Sequence, residues 1–453
     1  MKTKIPHNAI VLGLGMSGKG AVHYLLSQGA CVTGLDNNAE KIKTDPAILQ
    51  LMERGLTLKS HVDPQEITQY DALVVSPGIP RTHQVYSAAI KHGVEVLGEV
   101  ELACRTLTQK CIGITGTNGK TTVTLLVEHI LNFTGKKARA LGNVGVPITQ
   151  EIVDSSLQDN KIVCELSSFQ LETMRSKVLD AAVVLNITPD HLERYSNMEE
   201  YAKAKIRIFD CLKPSALELV FEPTLKEFKS LFKHQTYTTY GYHSGCDYFI
   251  DKEEIKLRGQ SILPIPTLLH GVQSHDVENQ VAAYAICRHF GVTPHQFIEG
   301  LKTFKKPSHR IEYVTDINGV AYYDDSKGTN IDAVLRAVGT FQSPLILIAG
   351  GVDKGFPYTS WIQPFKGKVK LICAIGQSKQ LIQQQLHEHF PIKVLDTLEN
   401  AVAYAHEQAV KGDTVLLSPG CSSYDMFRDY KERGDLFQKC VLEIAKRHMP
   451  NKE

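Results

Sequence analysis

A basic surplus, paired cysteines and a long apolar run are all missing from this chain of 453 residues. Lysine and arginine total 50 against 49 acidic residues, a formal net charge of +1. No Lys/Arg stripe announces a nucleic-acid backbone, so no nucleic-acid partner is expected. The ten cysteines are scattered as singles, without a CxxC pair or zinc-finger spacing to histidine. They read as buried free thiols in a reducing compartment. No apolar stretch reaches the ~18–20 residues of a membrane helix. The apolar run after Met1-Lys2-Thr3-Lys4 imitates a signal peptide, but glycines interrupt it and no cleavage site follows cleanly. A cytoplasmic protein with no membrane partner is expected. No internal repeat and no low-complexity segment is found.

What is present is ordinary globular material, 43% hydrophobic and 22% charged. The length suggests about three domains at ~150 residues each. Short apolar runs alternate with helical patterns nearly throughout. In the first part Asn8–Leu14, Cys31–Leu35 and Ala72–Val75 read as strands and Ala21–Gln28 as a helix. A second unit begins near Glu99, with strands at Cys111–Thr115, Lys161–Leu166 and Ala181–Ile187 and helices at Gly119–Asn132, Asn197–Leu212, Glu278–Phe290 and His295–Phe304. Thr236–Ile265 reads as a small antiparallel addition. Lys305-Lys306-Pro307 marks a boundary, because proline turns its predecessor away from helix. Strands at Leu345–Ile348, Leu371–Ile375 and Thr414–Leu417 and helices at Ser378–His387 and Leu398–Ala409 follow. The expectation is α/β, with three domains at 1–98, 99–306 and 307–453, each on a mainly parallel sheet.

Gly13-Leu14-Gly15-Met16-Ser17-Gly18 lies between a strand and a helix, and Asp36 closes the next strand. Glycines there let a diphosphate approach a helix N-terminus, and the acid suits a ribose. A UDP-sugar offers the same groups as a dinucleotide, so the ligand's identity stays open. The sharper signal is Gly113-Ile114-Thr115-Gly116-Thr117-Asn118-Gly119-Lys120-Thr121-Thr122. Its backbone N–H groups would cradle phosphates, Lys120 would reach the β/γ-phosphates, and Thr121 would hold Mg²⁺. The first glycine falls one position early for a strict P-loop. Glu165 ends a strand nearby and is the natural Mg²⁺ ligand; Asp190, with His191 beside it, reads equally as a helix cap. Lys203, Lys205 and Arg207 read by pattern as a solvated helix face. Two later clusters, Asp324-Asp325-Ser326-Lys327-Gly328-Thr329-Asn330 and Ser418 through Asp425, suit either helix capping or an anion site.

Taken in order, these motifs resemble the Mur ligases. Thr115 to Thr122 is similar to that family's TGTxGKT loop, and Glu165, Asn186, Asp190-His191, Asn279 and His309-Arg310 fall where the family has counterparts. The C-terminal clusters, running on to Glu432-Arg433-Gly434, most resemble the D-glutamate-adding branch; an Asp-Asn-Pro-Arg motif for diaminopimelate is absent. The resemblance implies ATP-dependent ligation of D-glutamate to UDP-N-acetylmuramoyl-L-alanine through an acyl phosphate, by a monomer using two Mg²⁺ ions. It implies a UDP-substrate site of Gly15, Met16, Ser17, Asp36, Asn37, Ser76, Asn143, Gln170 and His191. ATP would be held by Gly116, Thr117, Asn118, Gly119, Lys120, Thr121, Thr122, Asn279, Arg310 and Asp325. D-glutamate would be held by Thr329, Lys354, Ser423 and Tyr430. Metal would be bound by Thr121, Glu165, His191 and a carbamylated Lys205, with Lys120, His191, Lys205, Arg310 and Lys327 as the catalytic set. Two departures stand out: His275-Asp276 replaces the usual His-Asn before Asn279, and Tyr430 stands where phenylalanine is usual. An NAD-dependent oxidoreductase would leave the second phosphate loop unexplained. A P-loop switch or binding module would hydrolyse ATP without an amino-acid acceptor, and its ATPase activity would be indifferent to D-glutamate.

Overall fold

The computed structural model describes residues 4–154, 157, 160–234, 236–251, 254–264 and 274–448. By contacts the chain divides into two compact units, Met1–Ile187 with Glu199–Phe304, and Thr188–Met198 with Lys305–Glu453.

The first unit carries two sheets. Strands β1 (Asn8–Leu12), β2 (Cys31–Leu35), β3 (Leu56–Lys59), β4 (Ala72–Val75) and β5 (Glu95–Gly98) pair in the order β3-β2-β1-β4-β5, all parallel. The order reverses beside β1, and in open α/β sheets ligands bind at such a switch point, outside the strands' carboxyl ends. The glycine turn after β1 and Ser76 after β4 sit there. Apolar residues of β1 and β4 are buried on both faces, the pattern of a sheet covered on both sides.

The second sheet of this unit runs β6 (Cys111–Thr115), β7 (Ala138–Gly142), β8 (Lys161–Glu165), β9 (Leu179–Val184), β10 (Leu212–Phe221), β11 (Thr238–Gly241), β12 (Tyr248–Ile250), β13 (Glu254–Leu257) and β14 (Gln260–Pro264) in sequence. Their spatial order is β14-β13-β12-β11-β10-β9-β6-β8-β7. Two expectations change here. The strand β10 was not read from the sequence. The segment after Thr236 is antiparallel only in part: β11 and β12 extend the parallel sheet, and β13 then pairs antiparallel with both β12 and β14. The helix Lys120–Phe133 packs Val123, Val127 and Ile130 into this sheet's core, against the helix Ser274–His289. From Val281 to Cys287 every residue of the latter helix is buried, so it is apolar all round and sits inside the core.

The second unit has β15 (Glu312–Ile317), β16 (Val320–Asp324), β17 (Leu345–Gly350), β18 (Val369–Ile375), β19 (Ile392–Val394) and β20 (Thr414–Leu417), in the order β15-β16-β20-β17-β18-β19. Only the β15–β16 hairpin is antiparallel. Three α/β sheets dominated by parallel pairing are what the strand–helix alternation predicts. All ten cysteines are free thiols; Cys31 is exposed and Cys440 half-buried, so eight match the buried reading. Among the described residues, no helix is long and apolar enough to cross a membrane.

Candidate active site

The glycine-rich loop leaves β6 and opens the helix Lys120–Phe133. Gly119 has φ +89°, a conformation side chains disfavour, and a Cβ there would collide with the Asn279 side chain. Asn279 therefore lies directly against the loop. Asn186 clamps the loop from the end of β9: its carbonyl accepts from Thr117 N at 2.7 Å, its Oδ1 from Asn118 N at 2.9 Å, and its Nδ2 donates to Asn118 O at 3.1 Å. Lys120 Nζ folds back over the loop and donates to Gly116 O and Thr117 O, both at 2.8 Å. The loop thus holds its shape through bonds of its own. Thr121 and Thr122 form the first turn of the helix.

Glu165 ends β8, next to β6, and is buried. Asn143 Nδ2 donates to its Oε1 at 2.8 Å, while Oε2 is buried with no hydrogen-bond partner among the described residues. An unpartnered buried carboxylate oxygen is costly, and a hard cation is its usual remedy. The donor set fits Mg²⁺ on that observation. Lys205 is only 1% exposed. The solvated reading of its helix face is corrected for this residue, though Lys203 on the same helix is exposed. Lys205 Nζ donates to Gly116 O at 2.7 Å and lies 4.7 Å from the centre of the Tyr201 ring. Tyr201 sits four residues earlier on the same face, and its hydroxyl is 3.2 Å from Thr117 Oγ1. The spacing was the only sequence signal for it. A carbamylated nitrogen keeps one N–H, compatible with the Gly116 bond.

At the first sheet's switch point the helix Met16–Ser27 starts after Gly15, leaving Met16 exposed and Ser17 partly so. Ser76 Oγ donates to Gly13 O at 2.7 Å. The Asp36 carboxylate accepts from Leu14 N and Asn38 N, both at 2.9 Å, so it braces the turn. Asn37 lines a cavity of about 340 Å³ with Ser60, His61 and His83. Gln170 is drawn into a capping box with Ser167.

The second unit gathers the other residues. Asp190 is no helix cap: it lies in the irregular stretch before Met198. Lys354 Nζ donates to its Oδ1 at 2.9 Å and Asn330 Nδ2 to its Oδ2 at 3.3 Å. His191, at φ +58°, lies 3.0 Å through Nδ1 from Glu193 Oε1. Burial would raise the Glu193 pKa, but the bond to His191 and the charges of His191 and Lys354 leave it lowered. Asn330 caps the helix Ile331–Thr340 through Ala333 N, so this cluster is both cap and contact. Asp325 is buried and accepts from Ser418 Oγ at 2.6 Å. Burial pushes its carboxyl up to about 7, against the opposing pulls of the Ser418 bond and the Arg310 charge. The Lys327 ammonium stands 3.9 Å over the Tyr430 ring. Ser423 is buried and Thr329 half-buried. Arg433, marked in the sequence only by its place in Glu432-Arg433-Gly434, is buried and braces both C-terminal clusters: Nη2 donates to Ser326 O at 2.9 Å and Nη1 to Cys421 O at 3.2 Å. The His275 side chain lies outside the described residues.

A phosphate loop with a buried carboxylate beside it, in a chain of three parallel-dominated α/β sheets, defines a nucleotide-using α/β enzyme. Family models cover most of the chain: the MurD-like N-terminal domain of Mur ligases at 7–98, the Mur ligase middle domain at 114–287, and the Mur ligase glutamate ligase domain at 309–421. The chain belongs to the Mur ligase family. A UDP-N-acetylmuramoylalanine–D-glutamate ligase from Protochlamydia amoebophila is 48% identical over 433 residues, covering 96% of this chain and 97% of its own. Its namesake from Caldicellulosiruptor bescii is 36% identical over 462 residues, covering 96% and 98%. In fold, the UDP-N-acetylmuramate–alanine ligase of Thermotoga maritima superposes with a TM-score of 0.59 at 17% identity, covering 97% of this chain and all of that one.

Proposed function

We propose that this protein joins D-glutamate to UDP-N-acetylmuramoyl-L-alanine at the expense of ATP, in the synthesis of peptidoglycan precursors. The observation that carries this reading is the full-length likeness to ligases of that name. The regions 1–98, 99–306 and 307–453 take the UDP-substrate, ATP and the amino acid respectively, in a cytoplasmic monomer.

The substrate carboxylate attacks the γ-phosphorus of ATP and the bond to the β-γ bridging oxygen breaks, giving an acyl phosphate and ADP. The D-glutamate amine then attacks the acyl carbon, loses a proton, and expels phosphate to leave an amide. The chain's own part is mostly positioning and charge compensation. Lys120 leaves its loop carbonyls for the β/γ-phosphates, the loop's N–H groups and Asn279 hold ATP, and Arg310 and Lys327 offset charge on the transferring group. Mg²⁺, two ions held by Thr121, Glu165, His191 and a carbamylated Lys205, would supply further charge neutralisation. The exposed N–H end after Gly15, with Ser17, Asn37 and Ser76, takes the UDP-substrate. Lys354, Thr329, Ser423 and Tyr430 take D-glutamate.

Phosphate release tests this directly, with Mg²⁺, ATP and UDP-N-acetylmuramoyl-L-alanine, and D-glutamate, L-glutamate, L-alanine or diaminopimelate in parallel. Release dependent on D-glutamate is expected. Dependence on another amino acid would move the protein within its family, and release indifferent to every acceptor would sink the ligase reading.

A further inference from the structure

Asp190 lies outside every role assigned above, yet three elements of the second unit meet on its carboxylate. Lys354 Nζ, from the loop after β17, donates to Oδ1 at 2.9 Å. The backbone N–H of His191 donates to the same oxygen at 3.0 Å. Asn330 Nδ2, from the cap of the helix Ile331–Thr340, donates to Oδ2 at 3.3 Å. Both side chains of the ion pair are largely shielded, 11% exposed for Lys354 and 8% for Asp190. Their pairing is therefore little screened by solvent. Thr188 Oγ1 adds a bond to Asp332 Oδ2 at 3.1 Å, fixing the same stretch to the same helix.

We infer that Asp190 is a positioning residue for the amino-acid acceptor: it holds the Lys354 ammonium in place to receive a carboxylate of D-glutamate. This rests on the reading of Lys354 as a D-glutamate ligand. A lysine ammonium has three N–H donors, and Asp190 takes one, so the pair need not break for substrate to bind. A four-carbon stem on a loop containing Gly351 and Gly355 has no orientation of its own. The fixed carboxylate supplies it, and also ties Lys354 to His191 through a shared oxygen.

The test compares wild type, Asp190→Asn, Lys354→Ala and the double variant in steady-state phosphate release, with thermal melting to verify folding. Asp190→Asn keeps the size and removes the charge. It is expected to raise KM for D-glutamate about tenfold or more, with a smaller change in kcat and unchanged KM for ATP. In the Lys354→Ala background the same change is expected to add less than about twofold, since the two act as one unit. An unchanged KM in Asp190→Asn, with a raised one in Lys354→Ala, would overturn this inference alone. An unchanged KM in Lys354→Ala would remove the reading of Lys354 and the inference with it. If Asp190→Asn does not fold, Asp190→Glu keeps the charge and moves it by one methylene. A rise confined to KM for D-glutamate is then expected, and an equal rise for all three substrates would overturn the positioning role.

Discussion

Single residues carry the chemistry here through what they lack or hold. Glu165 has one oxygen satisfied by Asn143 and one without a partner among the described residues. Glu165→Gln keeps the shape but weakens the hard donor. The Mg²⁺ concentration for half-maximal rate should rise about tenfold or more, read by metal titration at saturating ATP. An unmoved midpoint would remove Glu165 from the metal site. Lys205→Ala should lose most turnover and regain part of it with added short carboxylic acids, which replace the oxygens of a carbamate. No recovery with any acid would leave the carbamate without support. The place of Glu165 was legible in the sequence, because a residue that ends a buried strand lies at the sheet's carboxyl edge, where the glycine loop leaves the neighbouring strand. Lys205 was not. Three cations at alternate positions look solvated in one dimension, and only tertiary packing buries the middle one. Family resemblance singled it out where pattern could not. Asp190 was misread because its partner Lys354 is remote in sequence.

Local grammar decides which elements could be anticipated. The strand–loop–helix around Gly116 to Lys120 is written in consecutive residues, and the structure forms it there. The strand β10 is not legible in the sequence because it contains Pro214 and only its last three residues are consecutively buried, so neither alternation nor a continuous apolar run marks it. The pairing partner of β11 was likewise out of reach, since parallel neighbours are set by distant segments. The tightest point of the loop is Gly119. Gly119→Ala must strain a φ of +89° and push against Asn279. A local cost of about 1–3 kcal/mol is expected. KM for ATP should then rise about tenfold or more and the melting temperature fall by several degrees; wild-type kinetics from the variant would remove the loop from the nucleotide site.

For the molecule as a whole, the α/β class followed from strand–helix alternation, because parallel sheets need a covering helix between strands. Its stability should depend on pH through the buried carboxyl of Asp325. The folded group ionises near 7 and a free one near 3.8, so between those values the folded chain keeps a proton that the unfolded chain has lost. Stability therefore falls as pH rises across that window. His309 acts in the same direction at the upper end: Asp324 raises its pKa, so the stabilisation is present below about 6.5 and lost as pH climbs through the raised value. Asp325→Asn should flatten the decline of the denaturant midpoint between pH 4 and 7, as seen in parallel urea titrations. An equally steep decline in the variant would assign it to other groups.

Thr188–Met198 is counted with the second unit, although the residues on either side of it belong to the first. The polypeptide therefore passes between the units three times, at Ile187, at Met198 and at Phe304. A protease cutting only at Lys305 would leave the halves joined in substance, because the product on the carboxyl side still depends on an insert carried by the other product. Expressed alone, a fragment starting at Lys305 would arrive without the counter-charge to Lys354 and the bond to Asp332, and a short peptide spanning 188–198 is the piece that should restore it.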